Sequence, residues 1–331
     1  VQFENALTER YCAPGEAITL AANATAGIAA ALIALGVKGN VLIPAFTFPA
    51  TLSAVVMAGA RPWVLDVDTE TWGISADALE QALRTGNHEA ALVVVPFGVR
   101  IDLRRHFEAC TRYGAALVVD NAPGLGAAAA PLPAGRFMEV YSLHATKPFA
   151  IGEGGAIRAH RGESELLRRA LNFGLLRGAP PNGTWGINGK MPEISAAVGL
   201  AVLEDFGAML AARRRAVSRY IAAMRAHSGL AYVDELDRSP WQTFPVLLPS
   251  AEMLDEFIAR AAAAGLEIRN CHRPTLEDWP GATKTGPCPV SSSLSQRMAC
   301  IPVYSDITER EISTIIGIVD ASLAGISLHP A

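Results

Sequence analysis

Residues 140–157, VYSLHATKPFAIGEGGAI, hold a single amine, Lys147, between two apolar runs. Val140, Tyr141 and Leu143 make the first run, and Ala156 and Ile157 begin the second. Pro148 with Gly152, Gly154 and Gly155 rules out a continuous helix between them, so the pattern is strand, tight loop, return strand. Gly154 and Gly155 allow positive φ or a close approach of backbone to a ligand. A lysine tethered between two buried elements loses hydration, which disfavours its ammonium form and leaves a free amine. That amine is the nucleophile that forms a Schiff base with a carbonyl compound. The plain alternative is a solvated loop lysine, which this stretch alone does not exclude.

Other residues suit the same kind of chemistry. AALVVDNAPG, residues 115–124, is an apolar strand ending on Asp120. Ligands of open α/β sheets bind beyond the carboxyl ends of strands, so Asp120 is either a turn former or the partner of something cationic. Asp66 and Asp68, in VLDVDTE, pose the same question, and the turn reading suits both. Residues 22–36, ANATAGIAAALIALG, open on small polar residues and continue as an alanine-rich helix closed by Gly36. Its free amides and positive dipole end suit a phosphate, although an ordinary N-cap at Asn23 or Thr25 explains the same residues.

The elements that would position these groups alternate. Strands are expected at 41–44, 62–66, 91–95 and 115–120, with helices starting near 47–49 and covering 76–83 and 103–113. Such a βαβ rhythm implies a mostly parallel sheet covered on both faces. A helix at 163–171 follows the Lys147 loop. Residues 174–189, rich in Gly, Pro, Asn and Trp, are too irregular for an element and suit a functional loop or an interface. Asn188 and Lys190 lie just before a long helix that Pro192 starts and that runs to 227; for Lys190 the plain reading is a solvated charge. From 230 onward a smaller α+β pattern has strands at 243–248, 267–269 and 300–302 and helices at 251–264 and 308–323. The expected division is a large domain, 1–228, including the long helix, and a small C-terminal α+β domain, 229–331.

The chain has 331 residues, half of them hydrophobic, and a mean hydropathy of +0.25, more than one core usually needs. A net charge of −4 and a pI near 6.0 give no sign of nucleic-acid binding. The five cysteines are scattered and lack CxxC spacing, so free thiols in a reducing cytoplasm are expected and no metal site is. No apolar run is read as a membrane span and no signal peptide opens the chain. The first residue is Val1, so the natural N-terminus is expected upstream.

Together these groups suit pyridoxal 5'-phosphate. Helix amides would hold its phosphate and Phe48 would stack on its ring. Asp120 would keep the pyridine nitrogen protonated, which makes the ring an electron sink. Lys147 would form the imine and then shuttle the proton.

The chain resembles the sugar-nucleotide aminotransferases of the DegT/StrS type, which have the type I aminotransferase fold. The resemblance spans nearly the whole chain in five ordered blocks. They are NATAGIAAAL with NVLIPAFTFPATLSAVVMAGARPWVLDVD, then VVDNAPGLGA, SLHATKPFAIGEGG, GINGKMPEISAAVGL and IPVYSDIT. It implies an α/β fold with a mostly parallel central sheet flanked by helices and a smaller C-terminal α+β domain. It places Lys147 on the Schiff-base lysine, Asp120 on the pyridine partner and Ser142 on a phosphate-contacting serine. Thr25 and Ala26 fall on the phosphate-binding turn and Phe48 on the ring-stacking aromatic. Asn188 and Lys190 fall in a block that the family inserts into its neighbour's site, which implies a homodimer with shared active sites. The implied activity moves an amino group from glutamate to a nucleotide-linked keto sugar through an internal aldimine at Lys147. The NGKMPE and SLHATK blocks look most like members that aminate C4 of a dTDP-linked 4-keto-6-deoxy sugar.

Two departures stand out. The family commonly has Gln or His three residues after the aspartate, where this chain has Pro123, and this chain starts late relative to the family. Rival readings are a sugar dehydratase using the same cofactor and a non-catalytic regulatory or binding protein. Histidine replaces the lysine in the dehydratases, so Lys147 speaks against the first; retention of both Asp120 and Lys147 speaks against the second. A nicotinamide dehydrogenase is further off, because no GxGxxG joins a strand to a helix.

Overall fold

Runs such as ALVV, with no polar residue to face water, suit strands buried on both sides, and they set the architecture. The computed structural model describes residues 1–127, 130–180 and 183–324. The chain opens with α1 (Gln2–Tyr11), β1 (Glu16–Ala21), α2 (Ala24–Ala34), β2 (Asn40–Pro44) and α3 (Ala50–Met57). Next come β3 (Arg61–Leu65), α4 (Ala76–Thr85), β4 (His88–Val94), α5 (Arg104–Arg112) and β5 (Ala116–Asp120). β6 (Phe137–Ser142) and β7 (Gly155–His160) flank the Lys147 loop, and α6 (Ser164–Ala170) and α7 (Glu193–Met224) follow. The remainder is β8 (Ala231–Tyr232), β9 (Thr243–Leu247), α8 (Ala251–Ala263), β10 (Arg269–Asn270), β11 (Thr283–Lys284), α9 (Pro289–Arg297), β12 (Met298–Pro302) and α10 (Glu309–Leu323).

The large sheet has the order β1-β7-β6-β5-β4-β2-β3-β11. From β6 to β11 every pairing is parallel, while β7 runs antiparallel to β6 and to β1. The expected α/β architecture, a mostly parallel sheet flanked by helices, is the one the chain adopts. α2, α3 and α6 pack on one face of the sheet and α4 and α5 on the other. Small residues let α2 lie close: a Cβ on Gly27 would meet Val140 Cγ1 at 3.1 Å and Ile157 Cγ1 at 3.3 Å. The strand order turns back between β2 and β4, and the crevice of such a sheet opens at that point.

A second, antiparallel sheet has the order β10-β12-β9-β8. It shares a core with α8, α10 and the C-terminal turns of α7, including Val217, Tyr220 and Met224. The N-terminal turns of α7 pack instead on α1 and the Lys147 loop through Leu203, Phe206, Phe3 and Phe149. The region after residue 228 is not self-contained. β11 pairs with β3 in the large sheet, Leu276 N–H donates to Ala45 O at 2.9 Å, and Thr285 N–H donates to Val64 O at 3.0 Å.

Three expectations need correction. Cys271 and Cys300 form a disulfide, leaving Cys12, Cys110 and Cys288 as free thiols. The two sit next to each other because β10 and β12 are antiparallel neighbours, a pairing that a separation of 29 residues conceals. α7 does contain an 18-residue window apolar enough to cross a membrane by length and composition, with a mean hydropathy of 1.6. The adjacent Glu204 and Asp205 break up that window in a simple reading. Asp68 forms the expected turn, taking the Glu70 and Thr71 amides, whereas Asp66 caps α9 through the amides of Val290 and Ser291.

Candidate active site

β5 delivers Asp120 to the carboxyl edge of the sheet, where the carboxylate is buried. Its Oδ1 accepts from Ala122 N–H at 3.1 Å and its Oδ2 from the Thr51 hydroxyl at 3.2 Å. Thr47, in the bend before α3, and Thr51, in its first turn, hold each other at 3.0 Å between their hydroxyl oxygens. Burial raises the Asp120 pKa; nearby Lys147, the Ala122 amide and the Thr51 hydroxyl pull it back.

The Lys147 loop is a laced hairpin. Leu143 N–H donates to Gly154 O at 2.9 Å, Ala145 N–H to Gly152 O at 2.8 Å, and Lys147 N–H to His144 O at 2.9 Å. The side chain is half-buried and its Nζ donates to Gln242 Oε1 at 3.0 Å. Burial lowers the Lys147 pKa and Asp120 opposes that. Both members of the pair are therefore pushed towards their neutral forms, because burial outweighs their mutual attraction.

The phosphate-type groups meet at the other end. Ser142 is paired with Gly155 across β6 and β7, and Gly155 with Ala21 across β7 and β1. A Cβ on Gly155 would lie 2.5 Å from Asn23 O and 2.8 Å from Ala24 N, so the return strand presses directly on the N-terminus of α2. Asn23 is the N-cap of that helix, its Oδ1 accepting from Ala26 N–H at 2.8 Å. The Ala26 amide is thus already engaged, and Thr25 lies in the same first turn. Ser142 is buried, with its Oγ accepting from His144 N–H at 3.3 Å. Phe48, at the entrance to α3, is 66 % exposed.

Asn188 and Lys190 flank Gly189, whose carbonyl accepts from Ala22 N–H at 2.7 Å just ahead of α2, but their side chains are engaged with each other and with Asn172. Lys190 Nζ donates to Asn172 Oδ1 at 2.8 Å and Asn188 Oδ1 at 2.9 Å, and lies 4.7 Å from the centre of the Phe173 ring. Phe173 is itself exposed, as are Leu175, Trp185 and Ile194 in the flanking sequence. Residues 181 and 182 of the preceding irregular loop lie outside the described residues.

Sequence reasoning missed several side chains that the fold brings to Lys147. Gln242 precedes β9 and His272 follows β10. The His272 ring packs edge-on to Phe46 at 4.9 Å and stacks with Phe97 at 5.9 Å. Burial, with Lys147 nearby, pulls its pKa down to about 4. Only the i, i+4 spacing of Thr47 and Thr51 carried a readable signal. Behind Asp120, Asn121 Nδ2 donates to Glu139 Oε1 at 2.8 Å; Arg158 ties Glu139 to Glu16 across β6, β7 and β1. Among the described residues no cluster of three or more His, Cys, Asp or Glu could hold a metal ion.

Residues 1–320 match the family model described as the DegT/DnrJ/EryC1/StrS aminotransferase family. A dTDP-4-amino-4,6-dideoxy-D-glucose transaminase from Shigella dysenteriae is 30% identical over 315 residues, 91% of this chain and 85% of that protein. A GDP-perosamine synthase from Caulobacter vibrioides is 28% identical over 338 residues, 98% of this chain and 90% of that one. The solved structure of DesI in the presence of its TDP-sugar product superposes with a TM-score of 0.86 at 27% identity, covering 98% of this chain and 84% of that one. A half-buried amine, a buried acid and a helix N-terminus beside a serine hydroxyl fit the aldehyde, ring nitrogen and phosphate of one cofactor. The chain belongs to the DegT/DnrJ/EryC1/StrS aminotransferase family and uses pyridoxal 5'-phosphate.

Proposed function

We propose that this enzyme moves an amino group from glutamate to the keto group of a nucleotide-linked sugar, a dTDP-linked 4-keto-6-deoxy sugar, with Lys147 and Asp120 as its catalytic residues. The observation that carries the reading is the half-buried Lys147 amine within electrostatic reach of the buried Asp120 carboxylate. The Shigella relative and the TDP-sugar complex of DesI support the sugar and the nucleotide. When bound, pyridoxal phosphate supplies the electron sink that stabilises a carbanion at the amino-bearing carbon.

The chain's own groups do the rest. Lys147 Nζ, whose ammonium form burial disfavours, acts as nucleophile and as the base that takes a proton from the substrate carbon and returns it. Asp120 holds a proton on the ring nitrogen, and the Thr51 hydroxyl and Ala122 amide fix its carboxylate in one orientation. Thr25 in the first turn of α2 and the Ser142 hydroxyl bind phosphate, the Ala26 amide staying with its Asn23 cap, and Phe48 covers the ring face. Asn188 and Lys190 serve the site of a second copy in a homodimer. The exposed apolar side chains in the sequence flanking Lys190 support this, as does the apolar window of α7, of which only 11% is buried within the chain.

The test is a half-reaction on the purified holoenzyme. Glutamate should bleach the visible cofactor band, and a dTDP-4-keto-6-deoxy sugar should restore it. Bleaching with no return from any keto sugar nucleotide refutes the acceptor; no bleaching with glutamate refutes the donor.

A further inference from the structure

Five non-glycine residues among those described have positive φ: Trp72, Phe97, Phe173, Trp241 and His272. Strain of this kind persists only where the surroundings impose it, and it gathers at functional sites. Three of the five converge on Lys147. His272 lies within electrostatic reach of its amine; Phe97 stacks with His272; Trp241 immediately precedes Gln242, the acceptor of the lysine's hydrogen bond. The Trp241 turn, with a φ of 59°, is pinned from three sides. Arg213 of α7, itself buried, donates to Trp241 O at 2.8 Å and Val303 O at 2.9 Å. Trp241 N–H donates to Ser239 Oγ at 2.9 Å, and that hydroxyl donates to Phe97 O at 3.0 Å. The indole Nε1–H donates to Leu236 O at 2.8 Å. So much reinforcement of one strained residue fixes the side chain that comes next.

We propose that Gln242 is a positioning residue for Lys147, an uncharged acceptor that holds the free amine at the carboxyl end of β5. The inference rests on Lys147 being the cofactor lysine. The amine is free before the cofactor arrives and whenever the lysine is released to act as a base. In both states a neutral amide oxygen orients Nζ without adding a negative charge that would favour the ammonium. The titratable groups within electrostatic reach of Nζ are Asp120 from β5 and His272 after β10, whose ring burial keeps neutral. A carboxylate in place of Gln242 would hold the amine equally well but protonated.

The test compares Gln242→Glu and Gln242→Ala, with melting temperatures to verify folding. The first readout uses apoprotein: the pH dependence of Lys147 acylation by a small anhydride, quantified on the Lys147 peptide by mass spectrometry. Gln242→Glu should move that profile up by roughly one to two pH units, as an opposite charge at this distance does. Gln242→Ala should move it little. The second readout is the rate at which apoprotein captures pyridoxal phosphate at pH 7.5. Gln242→Glu should slow capture about tenfold or more, in step with the lost free amine, and Gln242→Ala several-fold through lost orientation. An unmoved acylation profile in Gln242→Glu, or wild-type capture in Gln242→Ala, overturns the proposal. Cofactor fixed by borohydride on a different lysine would overturn the underlying assignment instead, and the acylation profile would still report on the Gln242 contact.

Discussion

Gly155→Ala isolates the seat assigned to the cofactor phosphate. The added methyl would lie 2.5 Å from Asn23 O, 2.6 Å from its carbonyl carbon and 2.8 Å from Ala24 N, all backbone atoms. Opening that 2.5 Å gap to the 3.4 Å of ordinary contact moves the N-terminus of α2 by about 0.9 Å. Overpacking of this kind costs about 1–3 kcal/mol of stability. Displacing the helix amides by the same distance should weaken cofactor binding by about ten- to a hundredfold, or ~1.4–2.8 kcal/mol. The assay is fluorescence titration of apoprotein with pyridoxal phosphate beside a thermal melt. Gly162→Ala, whose Cβ would meet open space, is the control and should leave both unchanged. If Gly155→Ala melts lower yet binds cofactor within twofold of wild type, the α2 N-terminus is not the phosphate seat. If it changes neither, the close approach is absent in solution.

Asp120→Asn should keep cofactor binding but lose about a hundredfold or more in the glutamate half-reaction, read by stopped-flow absorbance; near-normal turnover would remove Asp120 from the mechanism. Mixing inactive Lys147→Ala with impaired Lys190→Ala should restore part of the wild-type activity, because hybrid dimers would carry one doubly damaged site and one intact site. No recovery despite subunit exchange, followed by mass spectrometry, would mean that Lys190 does not serve a partner's site. His272 is held at about 4, below the ordinary value of 6.5, so unfolded chains bind its proton first as pH falls. Its contribution to stability is present above pH 6.5 and is lost between 6.5 and 4; His272→Phe, measured by melting temperature of apoprotein, should flatten the pH dependence in that window.

Much of the fold was legible because its signals are local. β4 and β5 are continuous apolar runs, as strands covered on both faces must be, and glycine and proline marked the loop that carries Lys147. Asp120 stood out because a charge ended such a run. What stayed hidden depends on tertiary path. β11 is two exposed polar residues paired to β3 through the backbone, and nothing in Thr283 and Lys284 announces a strand. Gln242 and His272 come from segments 95 and 125 positions beyond Lys147, and the positive φ values that aim them fall on residues other than glycine. The Cys271–Cys300 pairing depends on strand order in the second sheet, which no spacing rule conveys.

The strand that closes the large sheet has a consequence for the nascent chain. Thr285 bonds to Val64 across 221 positions, so the outer edge of β3 is made long before the segment that covers it. At ~5–20 residues per second, ribosomes leave that edge open for about 10–45 s. An uncovered edge strand is a template for pairing with a neighbouring polypeptide. Chains released before residue 283, by premature termination or by a truncation placed near residue 228, keep the β3 edge permanently open. Their failure would be association between molecules along the sheet margin.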